Sequence, residues 1–198
     1  MKKIALILLI FFSACSTQVI LRRAPSDLVL LSVQPNNKTD VFYAFRSELS
    51  DPFRYNNRST HAFEFDLNGS YASNLRTYMG MKFSKLRDRL FLADSCTVLE
   101  FTLKAVFFNY GRNQSTIEQL SAAFGNPERG DAVLSVEIHT TVKVLRGGKP
   151  IGQKAIVATA NSDAPLTSNM GSLFASTMND GISKSMIMID KYLVSIGF

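Results

Sequence analysis

Histidine and cysteine are scarce in this chain, with two of each among 198 residues. That scarcity works against a metal centre. A zinc site needs three or four N, S or O ligands. His61 and His139 fall on separate predicted elements without a partner histidine at ligand spacing, and Cys96 is far from both. Serine chemistry has no signature either. No G-x-S-x-G elbow or S-x-x-K element stands out. Gly130-Asp131 and Gly147-Gly148 read as turns rather than as a phosphate loop after a strand. Glu64 and Asp66 share one side of a predicted strand, but no apolar pocket accompanies them and they read as a solvated pair. No catalytic, cofactor-binding or metal-ligating residue is assigned, and the chain is expected not to be an enzyme. A secreted hydrolase with an unrecognised site is the minor alternative. Internal repeats and low-complexity stretches are also absent.

The apolar run Ile4 to Phe12 falls short of the roughly 20 residues a membrane span requires. Its setting gives it another meaning. The chain opens MKKIALILLIFFSACS, with two lysines, the apolar run, the small residues Ser13 and Ala14, and then Cys15. A charged start, a short apolar stretch and small residues make an export signal that is cut rather than folded. The cut is expected between Ala14 and Cys15. An ordinary secretory signal, leaving Cys15 as a plain thiol, is the other reading of the same residues.

Removing residues 1–14 leaves enough chain for one domain with its own core. The formal charge of the whole chain is +6. Without Lys2 and Lys3 the balance becomes 20 basic to 16 acidic residues, spread thinly. Arg22-Arg23 and Lys82, Lys85, Arg87 and Arg89 are the densest spots, and they read as a solvated face. Nucleic-acid binding would want a basic face with interleaved aromatics, so no nucleic-acid partner is expected. Cys96 opens the apolar run TVLEFTL and reads as a buried thiol. The fifteen Phe and seven Met suit either an ordinary core or an adaptable apolar groove.

Periodicity divides the rest of the chain. Residues 15–27 read as a tether leading into a single domain over 28–198. Leu28 to Val33 and Val41 to Phe45 read as strands, and Arg46 to Thr60 as an exposed loop. HAFEFDL reads as a strand or as the entry to a helix. That helix begins near Ser70, capped by Asn68 or Ser70, with Leu75, Met79, Phe83 and Leu86 on its apolar stripe. Thr97 to Tyr110 is a strand with Leu99, Phe101, Leu103, Ala105 and Phe107 on one face. Gly111 to Asp131 is a long polar loop, of a length that often carries function. Ala132 to Leu145 and Ile151 to Thr159 form a hairpin about Gly147-Gly148. A last helix over Ser172 to Ser195 sets Phe174, Met178, Ile182, Met186, Ile189 and Leu193 on one stripe. These elements make an α+β two-layer sandwich, an antiparallel sheet packed by two helices.

The segment ending at Cys15 resembles the lipobox of bacterial lipoproteins, departing from it in having Phe12 where leucine is usual. The resemblance implies a diacylglycerol group and an N-acyl chain on Cys15, and no other cofactor. Ser16 in place of an aspartate then implies the outer membrane, with the domain facing the periplasm. Beside such a motif, the N-x-[ST] triplets at Asn37, Asn57, Asn68 and Asn113 read as chance matches. The run DAVLSVEIHTTVKVLRGGKPIGQKAIV and the helix MNDGISKSMIMIDKYL are similar to the hairpin and last helix of YajG-type lipoproteins and of the auxiliary lipoproteins of ABC-type transport. The outer-membrane lipopolysaccharide-assembly lipoprotein is similar in its order of elements. These families imply a non-enzymatic binding or scaffolding role in envelope lipid or lipopolysaccharide transport or integrity. The partners implied are the membrane, through the anchor, and an envelope transporter or an outer-membrane β-barrel protein.

Overall fold

In a computed structural model, which describes residues 16–36, 40–56, 62–88, 97–112, 132–164 and 169–198, the Gly147-Gly148 turn has the expected form. Both glycines have positive φ, 55° and 74°, which a two-residue hairpin turn requires and other residues resist. The turn joins β7 (Ala132–Arg146) to β8 (Lys149–Ala164), and β7 also pairs antiparallel with β6 (Thr97–Arg112). Gly111 and Arg112 therefore belong to β6. Residues 113–131, the remainder of the long polar stretch, lie outside the described residues, as do His61, Cys96 and everything up to Cys15.

Two further strands join the other side of β6. They are β2 (Val41–Ser47) and β5 (Leu86–Asp88), both added in parallel, giving the order β5-β2-β6-β7-β8. The sheet is thus antiparallel through β6, β7 and β8 and parallel at its other edge. A separate three-stranded sheet, β1-β4-β3, is formed by β1 (Ser16–Val19), β3 (Phe53–Asn56) and β4 (Ala62–Phe65). β3 lies inside the stretch read as an exposed loop. Pro52 and Asn56-Asn57 punctuate that stretch and hide the alternation of Phe53 and Tyr55 about Arg54.

Helices α1 (Asp27–Ser32), α2 (Leu67–Lys82) and α3 (Met170–Ser195) complete the described elements. α1 replaces the strand expected over Leu28 to Val33. The Ser26 carbonyl accepts from the amides of Val29 and Leu30, Val29 is buried, and Leu31 faces solvent. A short apolar run cannot be told from a buried helical turn by periodicity alone. α2 starts earlier than expected because the Asp66 carboxylate caps it, accepting from the Gly69 amide at 3.1 Å. It ends with Phe83 as its C-cap, and Leu86 passes into β5.

The α3 stripe is as expected, with Phe174, Met178, Ile182, Met186, Ile189 and Leu193 all fully buried. Gly181 lets it lie close to the sheet, since a Cβ there would come within 3.1 Å of Ile138. The helix stops at Gly197, φ 89°. The Phe198 amide bonds to the Leu193 carbonyl and the Gly197 amide to that of Val194, the paired bonds of a Schellman end.

α2, α3 and the small sheet cover one face of the five-stranded sheet, which is the two-layer α+β arrangement. β6 departs from simple alternation. Lys104 is an extra residue between Leu103, opposite Thr140, and Ala105, opposite His139. This bulge moves the inward set from Leu99, Phe101 and Leu103 to Val106 and Phe108. Phe107, read on one face with Leu99, Phe101 and Leu103, stands 56% exposed on the other.

Candidate functional site

The first described residue follows Cys15 directly and is already part of a strand. Ser16 pairs with Ala62 of β4, which pairs in turn with Asn56 of β3. Val19 and Leu21 are buried. The Arg22 amide donates to Asn179 Oδ1 of α3 at 2.8 Å, and the Arg22 carbonyl accepts from Asn74 Nδ2 of α2 at 2.9 Å. Ser73 Oγ donates to the Arg23 carbonyl, and the Arg23 guanidinium pairs with Asp66. Residues 16–26 are therefore built into the domain, where a tether over 15–27 was expected. Their polar composition is misleading because their backbone is held by β4 over 16–19 and by side chains of α2 and α3 at Arg22 and Arg23.

The small sheet is fastened by aromatic rings. Phe174 of α3 lies 4.6 Å from Phe63, 5.5 Å from Tyr55, 6.1 Å from Phe65 and 5.2 Å from Phe108, centroid to centroid. Phe53 and Tyr55 also meet Phe108. Five of the fifteen phenylalanines are spent here, as packing beneath the point where the chain enters the domain.

The face of the five-stranded sheet away from the helices is not covered by any described element. It carries Phe107, edge-on to the His139 ring at 5.1 Å, and Val157, which is 42% exposed. Val157 pairs across from His139. Beside them lie charged side chains, including Lys143 and Glu100 at 3.9 Å and Lys104 paired with Glu48. A shallow recess of about 120 Å³ lies between β2 and β6, lined by Ala44, Phe45, Arg46, Glu100 and Phe101.

The residues weighed as chemistry do not come together. His139 Nε2 is 3.4 Å from Glu137 Oε2 on the open face. Glu64 pairs with Arg54 at 2.8 Å, whereas Asp66 is occupied in capping α2. Among the described residues no three His, Cys, Asp or Glu side chains are placed to hold a metal, and no helix is long and apolar enough to cross a membrane.

Sequence reasoning missed a polar spine between α2 and α3. Lys82 reads from sequence as part of a solvated basic cluster, and Asp190 is no member of the apolar α3 stripe. Both are buried, 1% and 8% exposed. Lys82 Nζ and the Tyr78 hydroxyl each donate to Asp190 Oδ1 at 2.8 Å. The Tyr71 hydroxyl lies 2.6 Å from Ser185 Oγ and 2.7 Å from Thr140 Oγ1. The signal was available in the spacing. Tyr71, Tyr78 and Lys82 fall seven and four apart, on one helical face with Leu75 and Met79.

Burial pushes the Tyr71 phenol up to about 12, against the opposing pull of its bonds to Ser185 and Thr140. Tyr78 is raised too, first by burial and then by the Asp190 charge and hydrogen bond. Below the unfolded tyrosine pKa of about 10, both folded and unfolded chains hold these protons. As pH rises from there to the folded value, the unfolded chain loses its proton first and stability falls. Over two units this amounts to about 3 kcal/mol for Tyr71 alone. Tyr71→Phe is expected to flatten the fall in urea midpoint between about pH 10 and 12. A fall as steep as in wild type would mean Tyr71 is not its source.

The fold class is thus a two-layer α+β sandwich, with one face of the large sheet uncovered among the described residues. No protein-family model matches the chain, and no curated protein matches it. Among solved structures it is similar to protein XCC0632 from Xanthomonas campestris, a DUF330 protein. The TM-score is 0.51 at 9% identity, over 93% of this chain and 97% of that one. It is also similar to the rare lipoprotein B of Shewanella oneidensis, with a TM-score of 0.42 at 12% identity, over 79% of this chain and 99% of that one. The likeness to XCC0632 is one of fold.

Proposed function

We propose that this chain is a lipid-anchored, non-enzymatic lipoprotein of the bacterial envelope, held through Cys15 at the outer membrane and facing the periplasm. It acts as a binding or scaffolding component of lipid or lipopolysaccharide transport or of envelope integrity. Its class is that of the auxiliary lipoproteins of ABC-type transport or the YajG-type lipoproteins. One observation carries the reading. An export signal ends in a cysteine, and the residue after that cysteine opens the first strand of the domain. Several acyl chains hold a protein at a bilayer almost irreversibly, at ~0.8 kcal/mol for each buried methylene. The open sheet face, with Phe107 and Val157 beside charged side chains, suits a protein partner.

A second reading, assembly with an outer-membrane β-barrel protein, draws on β8. This edge strand of 16 residues offers a long row of backbone groups for strand addition. The test is metabolic palmitate labelling in a Gram-negative host, with crosslinking in the same cells. Wild type is expected to take up label and fractionate with membranes, and Cys15→Ala to lose both. A stoichiometric barrel among the crosslinked species selects the second reading. An unlabelled wild type refutes both and restores the plain secretory signal.

A further inference from the structure

The way the chain enters the domain fixes more than the site of anchoring. Thr17 Cγ2 lies 3.8 Å from the position a Cβ would take on Gly171, near the start of α3, and the Arg22 amide bonds to Asn179 one helical stretch further on. The chain therefore runs alongside α3 in the same direction, and Ser16 stands at the end where α3 begins. β8 runs the opposite way past the same helix. Thr177 bonds to Ser162, Gly181 faces Ala160, and Tyr192 faces Gly152. The last pairs of the large sheet, Arg112 with Ala132 and Ala132 with Ala164, thus lie at the Ser16 end. The Gly147-Gly148 turn and Phe198 lie at the other. The 26 residues of α3 separate the two ends by about 39 Å at 1.5 Å per residue.

We infer that the end carrying Ser16 and the start of α3 is held against the phospholipid surface, with β6, β7 and β8 rising from it and the Gly147-Gly148 turn pointing away. The inference rests on acylation of Cys15. Only one peptide unit, about 3.8 Å between Cα atoms, separates that residue from Ser16, which opens β1 and stands opposite Ala62 of β4. A free tether of twelve residues would instead let the domain wander by about 20 Å. The open face of the five-stranded sheet then stands roughly perpendicular to the membrane. It is presented sideways to partners in or on the same bilayer.

The chain has no tryptophan, so a single introduced one reports alone. Acylated full-length protein carrying Gln18→Trp, Ser172→Trp or Lys149→Trp is reconstituted into vesicles of phosphatidylethanolamine and phosphatidylglycerol with head-group spin-labelled lipid. All three replaced side chains are exposed. Strong quenching is expected at positions 18 and 172, and none at 149. A twelve-residue Gly/Ser insertion between Cys15 and Ser16 is expected to keep the protein on the vesicles and erase the difference. Equal quenching at all three positions of vesicle-bound protein overturns the orientation alone. Failure to float with vesicles, with no acyl mass on Cys15, overturns the anchored reading and the orientation with it.

Discussion

Replacing Asp190 by alanine is expected to destabilise the domain by about 3–5 kcal/mol, the usual effect of stripping the partner from a buried charge. The Lys82 ammonium sits between α2 and α3, and Asp190 is its charged partner at 2.8 Å. Removing the carboxylate also leaves the Tyr78 hydroxyl without its acceptor, a further buried polar group unpaired. Since single domains are stable by about 5–15 kcal/mol, this is a large share of the total. The double variant Lys82→Met/Asp190→Leu removes both charges and keeps the volume filled, so it is expected to recover the part due to the stranded ammonium and leave that of the unpaired Tyr78 hydroxyl. Urea unfolding of the two single variants and the double variant measures the coupling. A loss below ~1 kcal/mol for Asp190→Ala would mean that Lys82 finds water or another acceptor, and that the spine does not hold α2 to α3.

The second large effect is expected at Phe174. Its ring is fully buried and meets Tyr55, Phe63, Phe65 and Phe108. Phe174→Ala removes the hub of that cluster, and large-to-small changes of this kind cost about 3–5 kcal/mol. The loss should be uneven. The small sheet meets the rest of the domain largely through these rings, so β1, β3 and β4 are expected to exchange amide hydrogen faster than β7 does. Phe174→Leu, which keeps most of the volume, should retain more of the stability. Uniform acceleration across both sheets would show that the cluster is ordinary core and has no special role in holding the segment after Cys15.

What could be read from the sequence follows from how local each signal was. The Gly147-Gly148 turn and the α3 stripe need only their own residues, because a two-residue hairpin demands positive φ and a long helix repeats its pattern several times. Leu28 to Val33 failed because six residues, five of them apolar, fit either a strand or one and a half helical turns. Strict alternation set Phe107 on the face of Leu99 and Phe101, because an extra residue at Lys104 reverses it and no residue there advertises a bulge. Lys82, Asp190 and the stretch after Cys15 share a deeper reason. Each looks solvated by composition and is satisfied by partners distant in sequence, as Arg22 is by Asn74 and Asn179. For the candidate site, the sequence offers Cys15 as the expected attachment point, and the absence of slack behind it becomes visible only in the pairing of β1 with β4.

The central claim concerns one atom, the Cys15 sulfur. Mass spectrometry of the N-terminal peptide from protein extracted out of membranes tests it directly. The account predicts a chain beginning at Cys15, with diacylglycerol in thioether linkage and a third acyl chain on the α-amine. An N-terminal cysteine with a free thiol and a free amine, or a chain still bearing residues 1–14, would contradict it.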